Sequence, residues 1–293
     1  MKVHRLAIVL AAATYVLLLV GGLVHGTDSG LACPDWPLCF GQVMPEMTGH
    51  VAYEHTHRLV ATGVGLLTLA LAVAVHASRR ADRALRRLSI GAVVLVAVQA
   101  VLGGLTVLYQ LPDAVSTTHL GVSMLFFATT LYLAFRTRPE GMSPPAPSSP
   151  SVRKLVRLAL GLVYLQLLLG ALVRHVDGAA LVCHLDVVTC RGHLWPGWHW
   201  SAKLHMLHRF NALAIAAATI SLAVAARRGL SGRARAIALS TPALVVIQVA
   251  LGVMSILALL EVKTVTAHLG VAALLWGTLV CLAILTRTPT VSA

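Results

Sequence analysis

Eight apolar runs, each about twenty residues long, constrain this chain more than anything else in it. They fall at 6–24, 59–77, 90–111, 114–135, 155–173, 210–226, 236–260 and 265–286. They are too long, and too rich in Ala and Leu, to be strands. Charged residues make up 11% of the chain and the mean hydropathy is +0.83, where a soluble domain carries about 25% charge. The expected fold class is therefore an all-α integral membrane protein with eight transmembrane helices.

A net charge of +13 invites a nucleic-acid partner, but its distribution argues against one. Most Lys and Arg residues sit at the N-terminus (Lys2, Arg5), at the C-terminus (Arg287), or in alternate connections. Those connections hold Arg79 to Arg87, Arg136 to Arg157 and Arg227 to Arg235, while the segment 24–53 has no Lys or Arg. Positive charge collects on the cytoplasmic side of membrane proteins, so both termini are expected there. The first run follows a basic start, as in a signal peptide, but it exceeds a usual signal core. It is read as a retained helix, because removing it would break the repeat described next.

The sequence repeats internally. A shift of 149 residues lays Gln99-Ala-Val-Leu-Gly on Gln248-Val-Ala-Leu-Gly, His119-Leu-Gly-Val on His268-Leu-Gly-Val, and Gly21-Gly-Leu-Val on Gly170-Ala-Leu-Val. A shift of 151 lays Glu54, His57 and Arg58 on His205, His208 and Arg209. An even number of helices per half makes the halves parallel repeats about an axis along the membrane normal. The expected organisation is an N-terminal four-helix half at 1–136, a Pro/Ser-rich cytoplasmic linker at 137–152, and a C-terminal four-helix half at 153–293.

Within this frame four histidines recur as two pairs, His57 with His119 and His208 with His268. Topology puts all four near the outer face, each pair at matched depth on two helices of one half. Histidine at the end of a membrane span is costly unless it is coordinated, hydrogen-bonded or functional. Packing across helices is one use. A zinc or copper site is another, though it calls for three or four clustered ligands. Two histidines per half suit the axial positions of haem iron.

Glu54 shares a helical face with His57, and its repeat mate is His205. A carboxylate beside a haem ligand can serve as acid, base or proton relay; alternatively it caps its helix or pairs with Arg58. Arg58 and Arg209 follow the histidines directly and suit either haem propionates or lipid headgroups. Cys33 with Cys39, and Cys183 with Cys190, occupy matching outer connections on the oxidising side. A disulfide within each loop is compatible with the spacing, either as a staple or as a redox-active pair. Trp36, Trp195, Trp198 and Trp200 mark the same loops as a lid or as interfacial anchors. Cys281 reads as a packing residue. His25, His50, His55, His175, His184, His193 and His199 read as outer loop residues, and His4 and His76 as inner ones.

Taken together, Gly30-Leu-Ala-Cys-Pro-Asp-Trp-Pro-Leu-Cys, Glu54-His-Thr-His-Arg, His119 and His268 in His-Leu-Gly contexts, and the duplicated four-helix plan resemble the haem A synthase family. The resemblance spans nearly the whole chain. It implies oxidation of the C8 methyl of haem O to a formyl group through successive hydroxylations. It also implies substrate haem on His57 and His119, a haem B cofactor on His208 and His268, a catalytic Glu54, and a Cys33–Cys39 pair. Haem O synthase and terminal-oxidase assembly factors are the implied partners, in a cell membrane. One departure stands out. The family commonly has arginine after the Gly-x-x-Val that ends helix one; the second half keeps it as Arg174, and the first half has His25.

Two other classes account for parts of the pattern. A di-haem cytochrome that only transfers electrons explains the histidines and the repeat, but not the Glu54/His205 asymmetry or the cysteine pairs. A repeat-built transporter predicts charged residues at mid-membrane, which the runs lack.

Overall fold

The computed structural model describes residues 2–78, 81–139, 148–197 and 199–287. Arg79, Arg80, Trp198 and the middle of the linker, at 140–147, lie outside the described residues. Among the described residues, eight long helices account for the eight apolar runs: α1 Lys2–Gly26, α2 Gly49–Ala77, α3 Arg83–Leu108, α4 Asp113–Arg136, α5 Pro150–His175, α6 Trp200–Gly229, α7 Gly232–Leu257 and α8 Val262–Leu285. Each is long and apolar enough to cross a membrane. Helices satisfy their backbone groups internally, which hydrocarbon demands. Buried hydroxyls follow the same rule by bonding back along their own helix: Thr14 to the Leu10 oxygen at 2.8 Å, and Thr68 to the Val64 oxygen at 2.7 Å.

The helices outrun the apolar stretches that predict them. α2 begins at Gly49 and α6 at Trp200, each ten residues before its apolar run. With 29 residues, α2 is about 43 Å long at 1.5 Å per residue, against roughly 30 Å of hydrocarbon. The added turns hold Glu54 to Arg58 and His205 to Arg209. His25, His50 and His55, expected in loops, are also helical.

The chain divides into two compact units. One is Met1–Pro139 with Leu260–Gly270, the other Glu140–Leu259 with Val271–Ala293. The opening turns of α8 group with the first unit. Small residues on α1 explain this. A Cβ on Gly22 would lie 3.0 Å from Leu269, and one on Gly26 would lie 3.1 Å from Val262. Tyr15 also donates its hydroxyl to the Gly270 oxygen at 3.2 Å.

In the first unit α1 packs on α2 and α4, and α3 closes the ring between α2 and α4. One end of this bundle is filled by apolar side chains: Leu10 of α1, Val64, Leu71 and Val75 of α2, Leu85 and Ala92 of α3, Phe126 and Leu133 of α4. The cluster stops at Val64 and Phe126, short of the end that holds His57 and His119. In the second unit α6 packs on α5 and α7, and a 3-10 turn at Ala179–Leu181 fills the connection between α5 and α6.

Candidate active site

Two closed loops sit over the histidine-bearing helix starts, each built the same way. The first contains a Cys33–Cys39 disulfide, the second a Cys183–Cys190 disulfide. All four cysteines are fully buried. Beyond each second cysteine the chain turns back on itself: Cys39 and Gln42 exchange backbone hydrogen bonds, as do Cys190 and His193. The turn places Phe40 at φ 53° and Arg191 at φ 52°, a left-handed conformation that side chains disfavour. An aspartate compensates in each loop. Asp35 accepts from the Phe40 and Gly41 N–H groups at 2.6 and 2.8 Å. Asp186 accepts from the Thr189 N–H at 2.9 Å, from the Thr189 hydroxyl, and from Gly192 N–H at 3.3 Å. The Gly41 N–H is the main reason that the Asp35 carboxyl lies below its ordinary range. The Thr189 hydroxyl is the main reason for Asp186.

The arginine after each histidine clamps its loop. Arg58 donates to the main-chain oxygens of Asp35 at 2.8 Å and Leu38 at 2.5 Å. Arg209 donates to those of Asp186 and Thr189, both at 2.8 Å. Neither role was read from the sequence, which pointed to propionates or lipid. The Nε–H of Arg209 is buried with no hydrogen-bond partner among the described residues.

The loops differ where the motifs differ. Glu54 is buried at 4% exposure. Its Oε2 accepts the Cys33 N–H at 2.7 Å, and its Oε1 pairs with Arg58 at 2.5 Å. The carboxylate thus joins α2, the disulfide loop and the clamp. Its counterpart His205 is buried as well, with Nδ1 3.0 Å from the Ala179 oxygen. His55 and Met206 diverge too. Met206 packs among Cys183, Cys190 and Ala202. The His55 ring lies against Cys33 and Cys39, its ligand atom within 4.8 Å of both sulfurs. Both ring nitrogens of His55 are buried without a hydrogen-bond partner. The spacing of the motif gave no signal for this contact.

Glycines let the histidine rings recess against neighbouring helices. A Cβ would lie 3.3 Å from His57 Nε2 if placed on Gly21, 3.2 Å from His119 Cε1 on Gly103, and 3.1 Å from His208 Cε1 on Gly170. His57 and His119 stand at the same end of the first bundle, beyond the apolar cluster. Gln99 donates to the His119 backbone oxygen at 2.8 Å. In the second unit Gln166 donates to the His208 backbone oxygen at 2.9 Å, and its amide nitrogen is 3.1 Å from His208 Nε2. His268 lies in α8 on the stretch that groups with the first unit. Recessed imidazoles at a bundle end left open by the apolar core suit haem, which takes two such rings.

Trp36 is part of the first site. Its ring rests on Gly104, where a Cβ would approach it to 2.7 Å, one residue from the glycine that faces His119. Trp195 is 53% exposed and stacks on Phe210 with ring centroids 6.4 Å apart. Trp200 is exposed as well.

Long apolar helices, with recessed histidines under clamped, disulfide-closed loops at their ends, define a multi-pass membrane protein. Sequence comparison narrows the class. The chain matches the COX15-CtaA family of cytochrome oxidase assembly proteins over residues 4–55 and 46–280, and belongs to it. It is 34% identical to the "Heme A synthase" of Symbiobacterium thermophilum over 98% of this chain and 96% of that one. It is 30% identical to that of Bacillus licheniformis, over 94% of this chain and 92% of the other. For Shewanella oneidensis the identity is 28%, over 91% of each.

Proposed function

We propose that this protein is a haem A synthase, a membrane oxidoreductase that converts the C8 methyl of haem O to a formyl group by successive hydroxylations. The observation that carries this reading is Glu54: a buried carboxylate, three residues before His57, tied to the first disulfide loop and to Arg58. The relatives, named for the same activity along nearly the whole chain, support it.

In this reading haem O is held by His57 and His119. Glu54 keeps free lone pairs on both oxygens beyond the bonds it makes, so it can take a proton at Oε1 or Oε2 next to the substrate. The disulfide loop, held by Arg58 and by Glu54 itself, shields that carboxylate from bulk water. His208 and His268, the repeat mates, hold haem B; when bound, it supplies one-electron transfer. The pairing of these two rests on the sequence repeat. Arg58 has its Nη groups on the loop and on Glu54, whereas Arg209 keeps a buried Nε–H to offer a propionate.

The finer organisation belongs to the same proposal. The two halves are parallel four-helix repeats, both termini are cytoplasmic, and the haem sites lie near the outer face of the cell membrane. Haem O synthase delivers the substrate, and terminal-oxidase assembly factors take the product.

The test is the haem content of purified protein from cells that make haem O, by pyridine haemochrome and chromatography of extracted haems. Haem B with haem O, the alcohol or haem A supports the reading. Haem B alone, unchanged by haem O supply, would make the protein an electron-transfer cytochrome.

A further inference from the structure

Glutamines bond to two of the four histidines, and the sequence repeat carries a third glutamine but no fourth. Gln99 donates to the His119 carbonyl at 2.8 Å, and Gln166 to the His208 carbonyl at 2.9 Å. Gln248 occupies the position of Gln99 in the second copy of the sequence repeat, which carries His268. By the shift of 149 residues, the counterpart of Gln166 in the first copy is Leu17.

Gln166 is itself held. Asn211 donates to its Oε1 at 2.8 Å and to the Leu162 oxygen at 2.9 Å. By the shift of 151 residues the counterpart of Asn211 is Val60. A polar pair on one histidine is thus replaced by an apolar pair on the other. The consequence for the ring follows from donor chemistry. The Gln166 amide nitrogen can only donate, and it stands 3.1 Å from His208 Nε2. That contact selects the tautomer with Nε2 unprotonated, the form that gives its lone pair to a metal. His57 has no such donor: no hydrogen bond to its ring is formed among the described residues, and it leans on Gly21.

We infer that Gln166 and Asn211 are positioning residues that preset His208 for a haem that stays, and that Leu17 and Val60 leave His57 as an exchangeable ligand for a haem that comes and goes. The inference rests on the proposed function, and it accounts for which half holds substrate and which holds cofactor. A haem held by His208 would take the place of that contact, while the Gln166 bonds to Asn211 and to the His208 carbonyl do not depend on the ring. Before haem enters, the contact to Nε2 orders the ring, and ordering a side chain in advance removes a cost of binding.

The experiment follows haem transfer from purified full-length protein to excess apomyoglobin by absorbance. The H57A/H119A background isolates the second-half haem, and H208A/H268A the first-half haem. In the first background Q166L and, separately, N211V are expected to speed haem loss about threefold to tenfold. In the second, L17Q is expected to slow it. N211V leaves Gln166 in place but unsupported, so it tests the bracket without deleting a ligand contact. Unchanged rates in all three variants would overturn the inference and leave the haem assignment standing. An H57A/H119A protein that binds no haem would overturn the assignment and the inference with it.

Discussion

The Arg58 guanidinium lies 2.8 Å from the main-chain oxygen of Asp35, so the residue after His57 is also the fastener of the disulfide loop. Removing it also strips the buried Glu54 of its ion-pair partner at 2.5 Å. Losing one partner of a buried pair costs on the order of 3 kcal/mol. R58A is expected to lower the melting temperature and to speed reduction of Cys33–Cys39 by a phosphine. R58K should recover only part of this, because an ammonium cannot span two carbonyls and a carboxylate. Thermal unfolding and thiol labelling of the three proteins check it.

Glu54 separates anchoring from proton chemistry. E54Q keeps an oxygen that can accept the Cys33 N–H, bonded at 2.7 Å in the native protein, but loses the charge. E54A loses both. Haem A formation is expected to fall about 100-fold or more in each, within the range for loss of a general acid or base. Cys33–Cys39 should stay protected from reduction in E54Q and become labile in E54A. Chromatography of extracted haems gives the first quantity, labelling the second. Normal haem A production by E54A would remove Glu54 from the chemistry.

Gly104→Ala tests how Trp36 is seated. The added methyl would stand 2.7 Å from the indole, and overpacking of this kind costs about 1–3 kcal/mol. The ring is expected to leave α3, seen as a shift in tryptophan emission. W36V/G104A should restore stability without restoring the native emission.

Asp35 makes the first loop sensitive to acid. Its carboxyl is held below the ordinary value by the Gly41 N–H, with Phe40 N–H and Arg58 also contributing. A lowered value means that its stabilisation is complete above the unfolded value of about 3.9 and is lost as pH falls through the folded one. From neutral pH down to about 4 the loop should therefore stay closed, and below that it should loosen. D35N should show the loosened loop at neutral pH. Protection of Phe40 and Gly41 amides from hydrogen exchange reports both.

The eight helices are legible in the sequence because apolar length alone dictates a membrane helix. The starts of α2 and α6 were hidden for the same reason. Hydropathy ends where the polar turns begin, although helical hydrogen bonding continues through Glu54 and His205. The histidines stand out by recurrence. Trp36 on Gly104 is the opposite case, since a ring and the glycine that receives it are far apart in the chain. Gln166 and Asn211 were missed because they break the repeat instead of following it. The arginines were seen, but their bonds to loop carbonyls were not, because sequence does not display a main-chain oxygen as a site.

The clamp has a thermodynamic consequence. Because Arg58 is the next residue after His57 and also holds the first loop, the loop and the histidine-bearing turn share one equilibrium. Whatever binds more tightly with the loop shut must, by reciprocity, favour the shut loop by the same factor. Loading the first site and sealing it are then a single event seen from two ends. On the proposed haem assignment, a probe on the loop, at exposed Phe40 for example, would read the occupancy of His57 without touching the haem.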